Sequence, residues 1–217
     1  MNKPLMVFAA ALCFQAFGAD SLERRVRVAT EVVTHRMASA EPVVPQVVRA
    51  ARCVAAMKVV KTGFIWGGEG STGLVTCKRG GSWSSPSFFD TGGVTFGIQI
   101  GVQFMESLLF FMTGHAEDIL QHASFQLGTD LSFAAGPVGS GQGVGVIPDA
   151  HVLTYSFTQG LFAGATVNGL IVTHDRPRNR KAYGSDITPP EILAMQGESA
   201  PQVVQPFVGA VKKHLAY

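Results

Sequence analysis

Chemistry needs donors, acids, bases or nucleophiles at workable spacing, and this chain offers few. His115 and His122 fall near one face of a short helix expected over 115–123, with Glu117 and Asp118 nearby. A metal site needs two or three donors converging on one point. A histidine near each end of a solvated helix gives the same pattern, so no metal is assigned. Ser156 and His151 have the residue types of a nucleophile and its base. Their odd separation in a strand puts them on opposite faces, so the pairing fails. Gly68-Glu69-Gly70-Ser71-Thr72-Gly73 matches the dinucleotide pattern G-x-G-x-x-G. That pattern works by opening a helix, whereas Leu74-Val75-Thr76-Cys77 continues as a strand, so the segment reads as a turn. Asp130 and Asp149 have no paired role, and no nucleophile elbow, Walker A or H-E-x-x-H motif is present. Neither catalytic residues nor a cofactor is assigned, and an enzyme is not expected.

The basic residues offer more. Arg24, Arg25 and Arg27 lie on a first helix, and Arg49, Arg52, Lys58 and Lys61 follow on a second helix and its exit. Arg176, Arg178, Arg180 and Lys181 form the densest run, read as a late basic loop. Anionic head groups attract such clusters at about 1 kcal/mol per Lys or Arg near the surface. A solvated charged face is the competing reading for any single cluster.

The elements that carry these residues begin with a helix over 21–39, which Ser21 can cap. Leu22, Val26, Ala29, Val33 and Met37 stand on it at helical spacing. Pro45 opens a second helix expected to reach Met57. From Thr62 the period becomes two. Strands are expected at 63–66 and 73–77, around a turn at 67–72, and again at 83–89. The clearest alternation runs from Gly92 to Phe104. Val94, Phe96, Ile98, Ile100, Val102 and Phe104 share one side, and Thr95, Gly97, Gln99, Gly101 and Gln103 the other. The second face is stripped, which suits close backbone approach or a smooth concavity. Further strands are expected at 108–112, 125–135, 152–157 and 161–167, with a hairpin turn at Asn168-Gly169 leading to 170–172. A glycine-rich loop over 140–148 and helices over 189–195 and 201–215 complete the chain. The predicted class is α+β: a curved, mostly antiparallel sheet or partly closed barrel flanked by N-terminal and C-terminal helices.

The first eighteen residues have the form of a secretory leader, with Lys3, an apolar run from Leu5 to Phe17, and Ala16 and Gly18 as small cleavage-site residues. The run is too short for an ordinary span. The expected organisation is a leader over 1–18 and a single domain over 19–217. That domain comprises N-terminal helices over 21–57, a β-rich core over 62–173 and a helical tail over 188–215. The whole chain carries 17 basic and 15 acidic residues. So small a net charge argues against a nucleic-acid partner. Without the leader, Cys53 and Cys77 remain. In an exported protein they are open to a disulfide or to two buried thiols.

Several short segments together resemble the lipid-binding SYLF domain family. They include Ala51-Arg52-Cys53-Val54-Ala55, Lys61-Thr62-Gly63-Phe64 with Gly67-Gly68, and Gly73-Leu74-Val75-Thr76-Cys77. Trp83-Ser84-Ser85-Pro86-Ser87-Phe88 and Phe96-Gly97-Ile98-Gln99-Ile100-Gly101 follow. Later come Phe125-Gln126-Leu127-Gly128, Ala134-Ala135-Gly136-Pro137-Val138-Gly139 and Tyr155-Ser156-Phe157-Thr158-Gln159-Gly160-Leu161-Phe162-Ala163-Gly164. Tyr183-Gly184 and Ile187-Thr188-Pro189-Pro190-Glu191-Ile192-Leu193 close the series. The resemblance implies a non-enzymatic module for anionic membrane lipids, with phosphoinositide (phosphatidylinositol-type) binding in several members and actin binding in some eukaryotic ones. Bacterial members are typically exported envelope proteins. The expectation is therefore a periplasmic or peripherally membrane-associated protein, for which actin is not an expected partner. The alternative is a structural or protein-interaction module with an envelope protein partner. A carrier holding an acyl chain inside a barrel is a third reading.

Overall fold

The structure, a computed structural model, describes residues 21–39, 42–136, 149–159, 170–184 and 187–216, with backbone alone at 62–67, 94–103 and 158–159. The leader, the glycine-rich loop, the strand over 161–167 and the Asn168-Gly169 turn lie outside the described residues. So do the side chains that would show which way Val94 to Val102 face.

Helix α1 (Leu22–Met37) starts where Ser21 Oγ accepts the Arg24 N–H at 3.2 Å. This satisfies one of the free donors of the first turn. A short α2 (Pro45–Ala50) follows, with Pro45 in its first turn, as expected. It stops at Ala50, short of Met57, because Cys53 already belongs to β1 (Cys53–Arg79). The physical reason is burial on both sides. Cys53, Ala55, Met57 and Val59 enter one core cluster while Val54 and Ala56 enter the other. A strand buried on both faces reads as a continuous apolar run and loses its period-two signature.

Strand β1 pairs antiparallel with β3 (Ser87–Phe111), from Cys53↔Phe111 to Val75↔Ser87, with a register shift between Phe64 and Trp66. The 67–72 segment expected to be a turn is therefore strand, with Gly67 opposite Thr95 and Thr72 opposite Asp90. The tight turn comes later. Gly80 and Gly81 have φ of 56° and 84° and join β1 to β2 (Ser82–Trp83). Positive φ at both positions suits a two-residue hairpin loop.

The long ribbon doubles back. Cys53 and Cys77, 24 residues apart on one strand, have Cα atoms 3.9 Å apart and are joined by a disulfide. Fully extended, that stretch would span about 80 Å. The two limbs of β1 touch elsewhere too. Ser71 Oγ donates to Met57 Sδ at 3.3 Å, and a Cβ at Gly73 would lie 2.6 Å from Ala56 O. Glycine is needed there for the close approach.

Beyond β3, α3 (Gly114–Ile119) leads to β4 (Ser124–Gln126), β5 (Phe133–Ala135), β6 (Val152–Gln159) and β7 (Ile171–His174). β6 and β7 pair antiparallel with β3, whereas β5 joins β6 in parallel. The result is a curled mixed sheet forming a half-barrel, with helices at both ends of the chain. Its concave side holds Met57, Met105, Leu109, Phe111, Leu127 and Leu131 among others. Its convex side is covered by α1, α4 (Arg176–Tyr183) and α6 (Gln205–His214), while α5 (Pro189–Ala194), between them in the chain, sends Leu193 into the concave cluster. Val26, Val33, Phe110, Phe207 and Val211 pack in that layer. Each fully buried side chain of this size contributes about 1.5–3 kcal/mol.

Candidate functional site

The segment expected as a late basic loop is the helix α4. Asp175 Oδ1 accepts the Arg178 N–H at 3.1 Å as an N-cap, and Pro177 sits in the first turn. Asp175 also receives Arg178 Nη1 at 2.7 Å and Arg25 Nη1 at 3.0 Å. The same Arg25 nitrogen lies 2.5 Å from Asp90 Oδ1 on β3. Arg25 is 6% exposed, so its charge is spent inside the fold. It ties the first turn of α1 to the start of α4, across most of the sequence. The Glu23 carboxyl is held below the usual range by its own backbone N–H, the Ser21 hydroxyl and, further off, the Lys181 charge.

This tie sets the first turn of α1 beside the start of α4. Arg24 and Arg27 on α1 and Arg176, Arg180 and Lys181 on α4 are all exposed. Arg27 is 3.9 Å from Glu31, a surface pair worth a few tenths of a kcal/mol. Arg180 and Lys181 close the last turn of α4, where cations complement the helix dipole.

The remaining basic residues sit elsewhere and mostly pair. Lys61 is buried with Glu69 at 2.7 Å. Lys58 lies 3.9 Å from Glu106 and over the Phe104 ring. Arg52 and Arg79 grip the two oxygens of Glu117 at 2.8 and 2.6 Å. Burial alone would raise the Glu117 carboxyl, but these two guanidinium bonds outweigh it and hold it low. Arg49 is exposed at the end of α2, whose last carbonyls, Val48 O and Arg49 O, accept from Lys78 Nζ at 2.8 Å each.

The groups considered for catalysis have structural duties. Ser156 Oγ bonds Ser107 Oγ at 2.8 Å. His151 Nδ1 accepts the Ser132 N–H at 3.2 Å, with the His115 ring alongside at 5.1 Å between centroids. Among the described residues no three His, Cys, Asp or Glu side chains gather as a metal site. One nucleophile–base pair escapes sequence reasoning, Ser87 Oγ at 3.1 Å from His174 Nδ1. Both residues are buried. Asn179 donates to the same Ser87 oxygen, and His174 Nε2 donates to Leu120 O at 2.7 Å. Burial keeps the His174 pKa below its ordinary value. The network fastens β3, β7 and α4 together.

On the concave side, Ala55, Met57, Val75, Phe89, Leu109, Phe111, Leu120, Phe125, Val172 and His174 enclose a void of about 10 Å3. That is room for one water, not an acyl chain. Among the described residues no helix is long and apolar enough to cross a membrane.

Comparison with known proteins gives a consistent picture. Residues 92–214 match the family model described as "Ysc84: Las17-binding protein actin regulator". An SH3 domain-containing protein of Schizosaccharomyces pombe is 34% identical over 189 residues, covering 82% of this chain and 44% of the relative. LAS seventeen-binding protein 3 of Saccharomyces cerevisiae is 30% identical over 186 residues, covering 81% and 40%. The human SH3 domain-containing YSC84-like protein 1 is 30% identical over 180 residues, covering 81% and 52%. The chain thus spans about half or less of these relatives. No solved structure matches.

Proposed function

Starting from the chain's membership of the Ysc84 (SYLF) family, we propose that it is a non-enzymatic binding module that associates with anionic membrane lipids. The observation that carries this reading is the joining of α1 and α4 through Arg25 and Asp175. It sets the helix that carries the exposed Arg24 and Arg27 beside the start of the helix that carries the exposed Arg176, Arg180 and Lys181, from distant parts of the sequence. Several cations on one face, at about 1 kcal/mol each near a charged bilayer, give useful affinity without any covalent step. Export to the envelope is part of the same proposal. The leader-like opening of the sequence supports it, and so does a disulfide, which persists in oxidising compartments.

The test is sedimentation with vesicles of increasing phosphatidylglycerol content across a salt series. Binding should rise with the anionic lipid and weaken with salt. Equal binding to neutral and anionic vesicles would sink the proposal. A second reading, a protein-interaction module, draws on relatives named for binding LAS seventeen. Capture of one defined protein partner with no vesicle association would favour it.

A further inference from the structure

Near the C-terminal end of α1 the convex face of the sheet comes out from under its helices. Successive rows across β1, β3 and β6 on this face are Val54–Phe110–Leu153, Ala56–Leu108–Tyr155, Lys58–Glu106–Phe157 and, on β1 and β3, Val60–Phe104. The first two rows are buried under the helical layer. The last two are not, and Phe104 and Phe157 are 46% and 50% exposed.

A cation stands against each of these rings. Lys58 Nζ is 5.7 Å from the Phe104 centroid, and Arg36 Cζ is 5.7 Å from that of Phe157. The environment of Arg36 is unusual. Its side chain is 7% exposed, no carboxylate pairs with it among the described residues, and its buried Nε has no hydrogen-bond partner. A buried cation without a counter-charge is costly and asks for an anion. The acid nearby, Glu106, is already engaged. It bonds His35 Nδ1 at 3.3 Å and lies 3.9 Å from Lys58. The patch therefore sets two cations against one occupied carboxylate, on a surface of exposed aromatic rings.

We propose that Arg36 and Lys58 hold the phosphate of an anionic lipid while Phe104 and Phe157 enter the head-group layer of the bilayer. The paired chemistry decides the occupant. A soluble phosphate would satisfy Arg36 but leave both rings in water, whereas a lipid surface satisfies both at once. This inference rests on the lipid-binding reading and adds to it a second, apolar contact. Arg25 and Arg36 are eleven residues apart on α1, three turns along the same face. The helix thus links this patch to the basic surface near α4, about 16 Å away along its axis.

The experiment is sedimentation with mixed phosphatidylcholine–phosphatidylglycerol vesicles at low and high salt. Phe104→Ser/Phe157→Ser should keep the fold, because both rings are half exposed. It should lose about tenfold or more of the binding that survives high salt. Lys58→Gln, also on the surface, should weaken binding to the anionic vesicles, and Arg36→Gln should do so wherever it folds. Neutralising Arg176, Arg180 and Lys181 should instead remove the salt-sensitive part. If the double Phe variant binds as wild type while the α4 variant fails, this inference falls and the electrostatic reading stands. If wild type binds no vesicles, both fall. Displacement from vesicles by glycerol 3-phosphate, equal for wild type and the Phe variant, would assign the site to free phosphate and overturn bilayer docking.

Discussion

Arg25→Met tests the tie between α1 and α4. In the folded protein Asp175 is 3% exposed and takes Arg25 and Arg178, while Asp90 is 43% exposed. Removing one partner of a buried ion pair costs about 3–5 kcal/mol. Asp175 keeps Arg178 and its own N-cap bond, so the low end, about 3 kcal/mol, applies. The contribution of Asp90 is screened by solvent and stays below about 1 kcal/mol. For a domain of this size, about 3 kcal/mol lowers Tm by roughly 6–12 °C. Thermal and urea unfolding followed by circular dichroism would measure it. A double-mutant cycle with Asp175→Asn should return a coupling of at least about 1.5 kcal/mol, and one with Asp90→Asn clearly less. A cost under about 1 kcal/mol, or no coupling to Asp175, would show that the Arg25–Asp175 pair does not hold α1 in place. The apolar face of α1 would then be enough to seat the helix.

Other parts of the fold give further expectations. Gly73→Ala would push a methyl against Ala56 O and the Phe89 ring, so it should destabilise by about 1–3 kcal/mol in urea unfolding. Replacing Cys53 and Cys77 by Ala removes the link between the two limbs of β1. Opening a loop of this length should cost roughly 3 kcal/mol, read as a lower urea midpoint that no longer responds to reductant. His174 is buried with a lowered pKa, so the unfolded chain takes up its proton first as pH falls. Stability is then full above about pH 6.5 and declines below it until the folded-state pKa is passed. His174→Gln should flatten that limb in denaturation midpoints measured across pH, and an unchanged slope would remove His174 from the account.

How far the sequence could be read depended on what each residue faces. Ser21 and Pro45 mark their helix starts through local chemistry, so both could be read directly. The α+β class followed from the switch of period. The Cys53–Met57 run misled because both of its faces are buried, and a continuous apolar run fits a helix as well as a strand. The turn expected over 67–72 misled for a related reason. Glycines that look like turn residues sit here inside a paired strand: Gly68 and Gly70 have room beside them, and only Gly73, just after the segment, is needed for the close approach of Ala56 O. The helix α4 was legible after all, since Asp175 and Pro177 form an N-terminal signature. The density of arginine drew attention away from it. The pairing of Arg25 with Asp175, the Ser87–His174–Asn179 network and the stacking of Arg36 on Phe157 depend on long-range packing. No local pattern announces them.

In the proposed function, the exposed cations on α1 and α4 recognise an anionic bilayer. Vesicle sedimentation of the wild type beside Arg176→Gln/Arg180→Gln/Lys181→Gln, with phosphatidylglycerol content and salt varied together, tests it most directly. At about 1 kcal/mol per residue, the triple variant should bind anionic vesicles about a hundredfold more weakly at low salt, with a shallower salt dependence and a Tm lowered by no more than a few degrees through the lost helix-dipole contacts of Arg180 and Lys181. Identical binding curves for the two proteins, or equal affinity of the wild type for neutral and anionic vesicles, would contradict it.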